Sequence, residues 1–350
     1  MHIRTNQNHL LACIAAAGLV LAVMLIAIIP EAVPAAHAAA PAPGTPVTAW
    51  LQKHDWDAGV ALVERYADRI GTVSPLWWEA GEDGGTRQVP GAHADDPALR
   101  AIAAAHGIAL VPLVSDVTAS GSQPQRVLAT LRDPALRAQS AHALATLAVA
   151  HGYDGLDLDY EGIRSPEDLD AYASFIETLA RDLHESGKRL SVALEASALG
   201  TDTGALARIG AAADTVQIML YGPGTTAPGP LITPAKAHSL MAEAAAAISA
   251  EKLEAGIAVY GVAWQDGARV GTGTWQEYAA RASAEKLAST QDPVTGATRY
   301  DTGSAALWLP NAASVMRIRL ALADLGVSNV ALWHVGGMDP QILDALGATR

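Results

Sequence analysis

The sequence predicts a single (β/α)8 barrel that forms one domain over residues 47–350. Apolar, β-branched segments alternate eight times with alanine-rich segments of helical character. Prolines stand near three of the predicted helix starts and glycines near three predicted helix ends, where their backbone preferences favour a boundary. Eight such pairs in about 300 residues are typical of a closed barrel of parallel strands with helices outside.

The elements follow from this alternation in chain order. The predicted strands are 47–53, 69–78, 107–115, 152–160, 188–195, 213–221, 254–262 and 327–335. The predicted helices are 57–66, 96–106, 124–150, 166–186, 203–210, 234–250, 274–288 and 311–325. Residues 265–310 are long for a loop of such a barrel, and we expect a small hairpin there that includes 305–309.

The first 38 residues differ in character from the rest of the chain. Residues 10–29 form an unbroken apolar run, about as long as a membrane crossing requires. Ala36-His37-Ala38 follows and has the small-x-small pattern of a signal peptidase site. We expect export across the inner membrane, with residues 1–38 either removed as a signal peptide or kept as a membrane anchor. The mature protein would then be secreted, associated with the cell wall or held at the membrane. Residues 39–46, rich in Ala and Pro, are predicted to be an exposed linker.

Composition and charge exclude several classes of protein. The 350 residues are 50% hydrophobic and 17% charged, which excludes a disordered chain. A net charge of −13 argues against nucleic-acid binding, because phosphate recognition needs a basic face. The only cysteine, Cys13, lies in the apolar run, so the mature domain has no disulfide, thiolate metal site or cysteine nucleophile. We expect a monomer with a neutral or cationic ligand.

The most informative segment is the end of the fourth predicted strand, Asp-Gly-Leu-Asp-Leu-Asp-Tyr-Glu at residues 154–161. Side chains of a strand alternate between faces, so Asp157, Asp159 and Glu161 share one face and the leucines take the other. In a barrel these carboxylates would line the interior toward the C-terminal mouth, where at least one must stay protonated near neutral pH. A protonated carboxylic acid there can act as a general acid. A solvated acidic edge or a divalent-cation site are the alternatives.

This segment resembles the DGxDxDxE signature of glycoside hydrolase family 18, the chitinase-like family. Gln217, Met219 and Tyr221 resemble the QxMxY of the family's sixth strand. Residues 255–264 resemble its seventh strand, and residues 330–339 resemble its closing strand. The resemblance covers roughly residues 47–340, and its last third is most similar to bacterial cell-wall and spore-associated members.

The resemblance implies a retaining mechanism in which the 2-acetamido group of the substrate attacks the anomeric carbon. It assigns Glu161 as the acid that protonates the leaving oxygen and then as the base for water. Asp159 would orient the acetamido group, and Asp157 would hydrogen-bond Asp159 and share a proton with it. Tyr221 would hydrogen-bond the acetamido carbonyl. No metal and no organic cofactor are needed for this chemistry.

Six further residues are predicted to contact substrate. The resemblance implies that Trp333 stacks under the sugar ring, with Met219 and Gln217 beside it. Position at the ends of predicted strands adds Trp264, Glu195 and Trp78. Asp154 and Gly155 of the signature are predicted to be structural.

The sequence departs from the family pattern at two places. Gly222 stands where the family has an aspartate after the sixth-strand tyrosine, and Val114-Ser115-Asp116 occupies the position of its SxGG. These departures leave the reaction type in place and bear on substrate and rate. We therefore predict an exported glycosidase for β-1,4-linked glycans that contain N-acetylglucosamine, either chitin-like or peptidoglycan. The alternative is a non-catalytic, chitinase-like carbohydrate-binding protein, although such proteins usually lack the acid glutamate.

Overall fold

Strands and helices alternate along the chain in the computed structural model, which describes residues 46–347 apart from 82, 119–120, 123, 223–226, 302 and 304. The strands are β1 (Val47–Leu51), β2 (Ile70–Ala80), β3 (Thr86–Gln88), β4 (Ala109–Leu110), β5 (Leu113–Ser115), β6 (Val117–Thr118), β7 (Gly121–Ser122), β8 (Gly155–Asp159), β9 (Arg189–Glu195), β10 (Thr215–Met219), β11 (Leu253–Ala258), β12 (Gly261–Gln265), β13 (Ala268–Gly273), β14 (Ser289–Gln291), β15 (Thr298–Asp301), β16 (Ala305–Leu309) and β17 (Asn329–Trp333). The helices are α1 (Trp56–Arg65), α2 (Pro97–His106), α3 (Pro124–Arg132), α4 (Pro134–Ala150), α5 (Pro166–Glu185), α6 (Thr203–Ala212), α7 (Pro234–Ala245), α8 (Trp275–Ala284), α9 (Ala312–Ala321) and α10 (Gln341–Gly347).

A ring of parallel strands forms the centre of the protein. The hydrogen-bonded order is β1, β17, β11, β10, β9, β8, β5 and β2, and β4 continues the β5 position on β2. The pairing of β1 with β2 closes this ring, so the structure is a (β/α)8 barrel. The fold class predicted from the sequence is confirmed.

The strand alternation separates two apolar regions. Leu156 and Leu158 on β8 face outward into the large core between strands and helices. A smaller cluster fills the inside of the barrel, with Trp50, Leu113 and Ala331 among its members. The inward-facing positions of β8 are instead acidic, which places the carboxylates of Asp157 and Asp159 inside the barrel.

The segment between β11 and α9 is larger than the predicted hairpin. Strands β12 to β16 form a separate antiparallel sheet in the order β13, β12, β16, β15 and β14, and α8 lies within the segment. The seventh barrel strand ends at Ala258, so Trp264 lies on β12 of this second sheet and not at the end of a barrel strand. Two antiparallel neighbours, β13 and β16, hold β12 in the sheet.

Two predicted elements are divided in the structure, and proline is the reason in each. The predicted helix 124–150 is α3 followed by α4, with the Asp133 side chain capping α4 through the backbone N–H groups of Ala135 and Leu136. Pro134 cannot continue a helix from Asp133, but it fits the first position of a new one. The predicted strand 107–115 is divided into β4 and β5 at Pro112, which has no N–H to donate.

The proposed signal segment and most of the predicted linker lie outside the described residues. Among the helices of residues 46–347 that are described, none is both long and apolar enough to cross a bilayer.

Candidate active site

The three predicted carboxylates rise along the inside of the barrel toward its C-terminal mouth. Asp157 is fully buried, Asp159 is 7% exposed, and Glu161 lies two residues beyond the end of β8, where it is partly exposed. The alternation of β8 produces this column, because every second side chain of a strand points to the same side.

Asp157 is the deepest member of the column. Its Oδ2 accepts hydrogen bonds from Trp50 Nε1 and from Ser74 Oγ, both at 2.8 Å. With its amide nitrogen turned toward the carboxylate, Gln217 donates to Asp157 Oδ1 at 3.1 Å. Burial raises the pKa of Asp157 to about 6, against the opposing effect of these donors.

A fourth acid lies beside this group and was not among the predicted site residues. Glu254, on β11, is 4% exposed and pairs in register with Gln217 of β10. Thr48 and Gln217 lie beside its carboxylate, and burial raises its pKa to about 7. The signal in the sequence is a single acidic residue in an otherwise apolar barrel strand.

Asp159 occupies the middle of the column. Its Oδ2 accepts a hydrogen bond from Ser115 Oγ at 3.1 Å, and its buried Oδ1 has no hydrogen-bond partner. Burial is the main reason that the pKa of Asp159 lies well above its ordinary value, and the charges of Glu161 and Asp116 add to the shift. The charge of Asp157 also acts on Asp159, and the hydrogen bond with a shared proton between these two carboxyl groups stays a prediction.

Glu161 stands at the mouth, where its main chain is held by two neighbouring carboxylates. Its own N–H donates to Asp116 Oδ1 at 2.9 Å, and the N–H of Gly162 donates to Glu195 Oε2 at 2.6 Å. The pKa of Glu161 is raised to about 7, chiefly by burial and also by the charges of Glu195 and Asp116, against the opposing charge of Arg164. A carboxyl group with this pKa can donate a proton near neutral pH.

A cavity of about 320 Å³ opens directly above the two upper carboxylates. Its wall includes Asp159, Glu161, Met219, Tyr221, Trp50 and Trp333. The Trp333 ring meets the edge of Trp50 at a centroid distance of 5.7 Å. Burial and the neighbouring Asp159 raise the pKa of Tyr221, so its hydroxyl keeps its proton and can donate. Acidic, hydroxyl and aromatic groups thus converge on one concave space, as is typical of a small-molecule binding site.

A wider cleft of about 1190 Å³ adjoins this cavity. The two share Met219 and Tyr221, and the cleft extends past Arg164 and Glu195 to the start of α7. Glu195 therefore lies at the wall of the cleft while its carboxylate binds the main chain of Gly162.

The remaining predicted site residues lie away from the cavity or beneath it. Gln217 is 1% exposed and contacts the carboxylates from below. Trp78 donates from Nε1 to Tyr153 Oη at 3.2 Å in the outer core. Trp264 donates from Nε1 to the carbonyl of Gly229 at 3.0 Å and packs within the second sheet. The structure brings none of these three side chains to the cavity wall.

The first two residues of the signature contact neighbouring strands. Asp154 Oδ2 accepts a hydrogen bond from the N–H of Leu110 at 2.8 Å, which connects the start of β8 to β4. A Cβ at Gly155 would lie 2.3 Å from the carbonyl oxygen of Arg189, so only glycine permits this approach of β8 and β9.

A metal-binding arrangement is absent from the part of the chain that is described. No three His, Cys, Asp or Glu side chains within it are grouped so that they could hold a metal ion. Asp157 and Asp159 instead accept hydrogen bonds from protein donors, and the pKa values of Asp157, Asp159 and Glu161 are all raised.

The model of one protein family, described as glycosyl hydrolases family 18, matches residues 120–337. The chain belongs to glycosyl hydrolase family 18. This family match covers β8 with its carboxylates, and it continues through the closing strand β17. The resemblance seen in the sequence is thus confirmed at the level of the family.

One relative shares part of the sequence, and solved structures share the fold. An uncharacterized glycosylase of Bacillus subtilis, YvbX, is 30% identical over 144 residues, which are 38% of this chain and 42% of that protein. A chitinase of Chromobacterium violaceum superposes with a TM-score of 0.74 at 23% identity, covering 88% of this chain and all of that chain (100%). The spore cortex-lytic enzyme SleL of Bacillus megaterium superposes with a TM-score of 0.72 at 19% identity, covering 86% and 73%.

The two departures from the family pattern have different structural consequences. Gly222 leaves the position after Tyr221 without a side chain, and its φ of 149° is one that residues with a Cβ rarely adopt. At the other departure, Ser115 hydrogen-bonds Asp159 and Asp116 binds the main chain of Glu161. The Ser115-Asp116 pair therefore contacts the carboxylate of Asp159 and the main chain of Glu161.

Proposed function

We propose that the protein is an exported glycosidase that hydrolyses β-1,4-linked glycans containing N-acetylglucosamine, with retention of configuration. The observation that carries this proposal is the convergence of Glu161, Asp159, Tyr221 and Trp333 on one cavity. Family 18 enzymes use the acetamido group of the substrate as nucleophile, which explains why one acid and one orienting carboxylate suffice.

The geometry supports a definite division of roles. Glu161, at the mouth and with a pKa of about 7, protonates the leaving oxygen and afterwards deprotonates the attacking water. Asp159 has a buried Oδ1 without a partner, which is available to accept a hydrogen bond from the acetamido N–H. That contact would orient the acetamido oxygen toward the anomeric carbon, and the hydroxyl of Tyr221 would hold the same oxygen.

Trp333 would lie under the sugar ring, and Met219 would limit the space beside it. Both side chains line the cavity that contains the carboxylates. Aromatic faces favour apolar sugar faces, so Trp333 fixes the ring position relative to Glu161.

The proposed substrate is either a chitin-like chain or peptidoglycan. Solved chitinases and a spore cortex-lytic enzyme share the fold, and the site recognises the N-acetylglucosamine unit that both polymers contain. Export would bring the enzyme to such polymers, and residues 1–38 carry the predicted signal for it.

The test is the substitution Glu161→Gln, measured on chitin oligomers and on purified wall glycan. We expect kcat to fall by about a thousandfold or more because the proton donor is lost, while the fold and oligomer binding persist. Wild type with and without a chelator is the control, and chelation should leave the rate unchanged. A rate for Glu161→Gln within a few-fold of wild type would contradict the assignment, and wild type that binds oligomers without cleaving them would favour a carbohydrate-binding protein.

A further inference from the structure

The turn that carries Glu161 is held from both sides by carboxylates of the two strands that flank β8. Asp116 directly follows β5 and accepts the N–H of Glu161 at 2.9 Å. Glu195 ends β9 and accepts the N–H of Gly162 at 2.6 Å. Strand β8 pairs with β5 on one side and with β9 on the other, so each neighbour contributes one acceptor.

Both acceptors are well placed to act on Glu161 by charge. Asp116 is 1% exposed, and the Glu195 side chain is 17% exposed. Their contacts are to backbone N–H groups, which keep the carboxylates fixed beside the turn. Gly162, with a φ of +76°, allows the chain to turn between them.

The other groups that face Glu161 come from four directions. Asp159 lies below it on β8, and Arg164 lies beyond it on the same loop and contacts Glu195 at 3.3 Å. Tyr221 and Tyr260 face it from the ends of β10 and β11, and both keep their protons. The negative charges of Glu195 and Asp116 raise the pKa of Glu161, and the positive charge of Arg164 lowers it.

We propose that Asp116 and Glu195 are positioning residues that clamp the Glu161–Gly162 turn and keep the Glu161 side chain protonated at neutral pH. This inference rests on the proposed function, because it concerns the acid of that reaction. The clamp fixes the direction from which the proton is delivered, and its charge sets the pH range in which the proton is present.

The clamp explains the departure at position 116. A glycine there would offer no side-chain acceptor to the N–H of Glu161 and no charge beside it. In this chain the carboxylate of Asp116 supplies both.

The experiment compares the pH dependence of kcat/KM in three neutralised variants and wild type. Asp116→Asn and Glu195→Gln each keep an oxygen that accepts the backbone N–H but lose the charge. Arg164→Gln removes the opposing positive charge. Asp170→Asn, which changes an α5 carboxylate that is 63% exposed, is the matched control.

We expect the basic limb of the profile to move to lower pH by about one unit in Asp116→Asn and in Glu195→Gln. The same limb should move to higher pH in Arg164→Gln and stay in place in Asp170→Asn. At pH values below the limb, the ratio of each clamp variant's rate to the wild-type rate should become constant, because Glu161 is protonated there in every variant.

The inference is overturned if the basic limb of the kcat/KM profile stays in place in both clamp variants. It is also overturned if a clamp variant loses kcat/KM by the same factor at every pH. If Asp116→Asn does not fold, as judged by its thermal transition, Glu195→Gln tests the clamp independently. An inactive wild type, or an active Glu161→Gln, refutes the proposed function. If wild type is active and Glu161→Gln is not, but the basic limb stays in place in the clamp variants, the clamp is refuted and the proposed function stands.

Discussion

Four acids meet inside the barrel, and each has a different environment. Asp157 receives donors from Trp50, Ser74 and Gln217, whereas Asp159 has one oxygen without a partner. Asp157 lies deeper and accepts hydrogen bonds on both oxygens, which suits a structural role. Asp159 lies above it with one oxygen unpaired, which suits a role in the reaction.

Glu254 makes a prediction about stability that is independent of activity. Its pKa is raised from 4.5 to about 7, so between these values the folded protein holds a proton that the unfolded chain has released. The free energy of unfolding should therefore decrease as pH rises from about 4.5 to 7. One pKa unit corresponds to about 1.4 kcal/mol, which limits the contribution of Glu254 to about 3 kcal/mol.

Urea unfolding of wild type and of Glu254→Gln at pH 5 and pH 8 measures this effect. The variant should lose less stability between the two pH values than wild type does, because glutamine does not titrate. Asp170→Asn again serves as the exposed control. Equal losses in wild type and Glu254→Gln would show that Glu254 titrates alike in the folded and unfolded states.

The sequence predicts the positions in the acid column but only part of the surroundings. Alternation along one strand indicates that Asp157, Asp159 and Glu161 share a face, since this needs no knowledge of distant residues. The contacts of Trp50 and Ser74 with Asp157 join strands 107 and 83 residues apart in sequence. Such contacts form only when the barrel closes, and local sequence patterns do not indicate which distant residues that closure brings together.

At the scale of elements, the sequence predicts the eight barrel strands and misses the divisions within them. Periodicity identifies apolar faces over long segments, so the barrel was predictable. Pro112 and Pro134 interrupt their segments without changing the apolar pattern, and the divisions were therefore missed. The second sheet was underestimated because β13, β14 and β15 have no buried residues and therefore no apolar face that a sequence pattern would show.

The close approach of β8 and β9 gives a prediction at this scale. In Gly155→Ala the new methyl group would meet the Arg189 carbonyl at 2.3 Å, so the strands must separate. We expect a loss of about 2 kcal/mol in unfolding free energy, measured by denaturant titration.

Gly271→Ala is the control, because the nearest atom to a Cβ there is the Tyr278 hydroxyl at 3.7 Å. Its stability should stay within about 0.5 kcal/mol of wild type. Equal stability of Gly155→Ala and wild type would contradict the proposed reason for glycine in the signature.

At the scale of the whole molecule, export of the protein across the inner membrane is a prediction that the N-terminus of the mature chain can test. Expression in a bacterium with a functional secretion pathway should yield a chain that begins at Ala39, since the predicted cleavage follows Ala38. Mass spectrometry of the intact protein from the extracytoplasmic fraction reads this directly. A full-length chain in the membrane fraction would indicate an anchor, and a full-length chain in the cytosol would contradict export.

Strand β1 hydrogen-bonds both β2 and β17, with Thr48 opposite Thr72 on one side and Ala331 on the other. Strand β1 is thus among the first barrel segments to be synthesised, whereas its partner β17, which ends in Trp333, is among the last. A nascent or truncated chain that stops before residue 329 leaves β1 and β11 with open edges, and it also lacks Trp333 of the cavity wall. We therefore expect the proposed glycan cleavage only from a chain whose synthesis has passed β17.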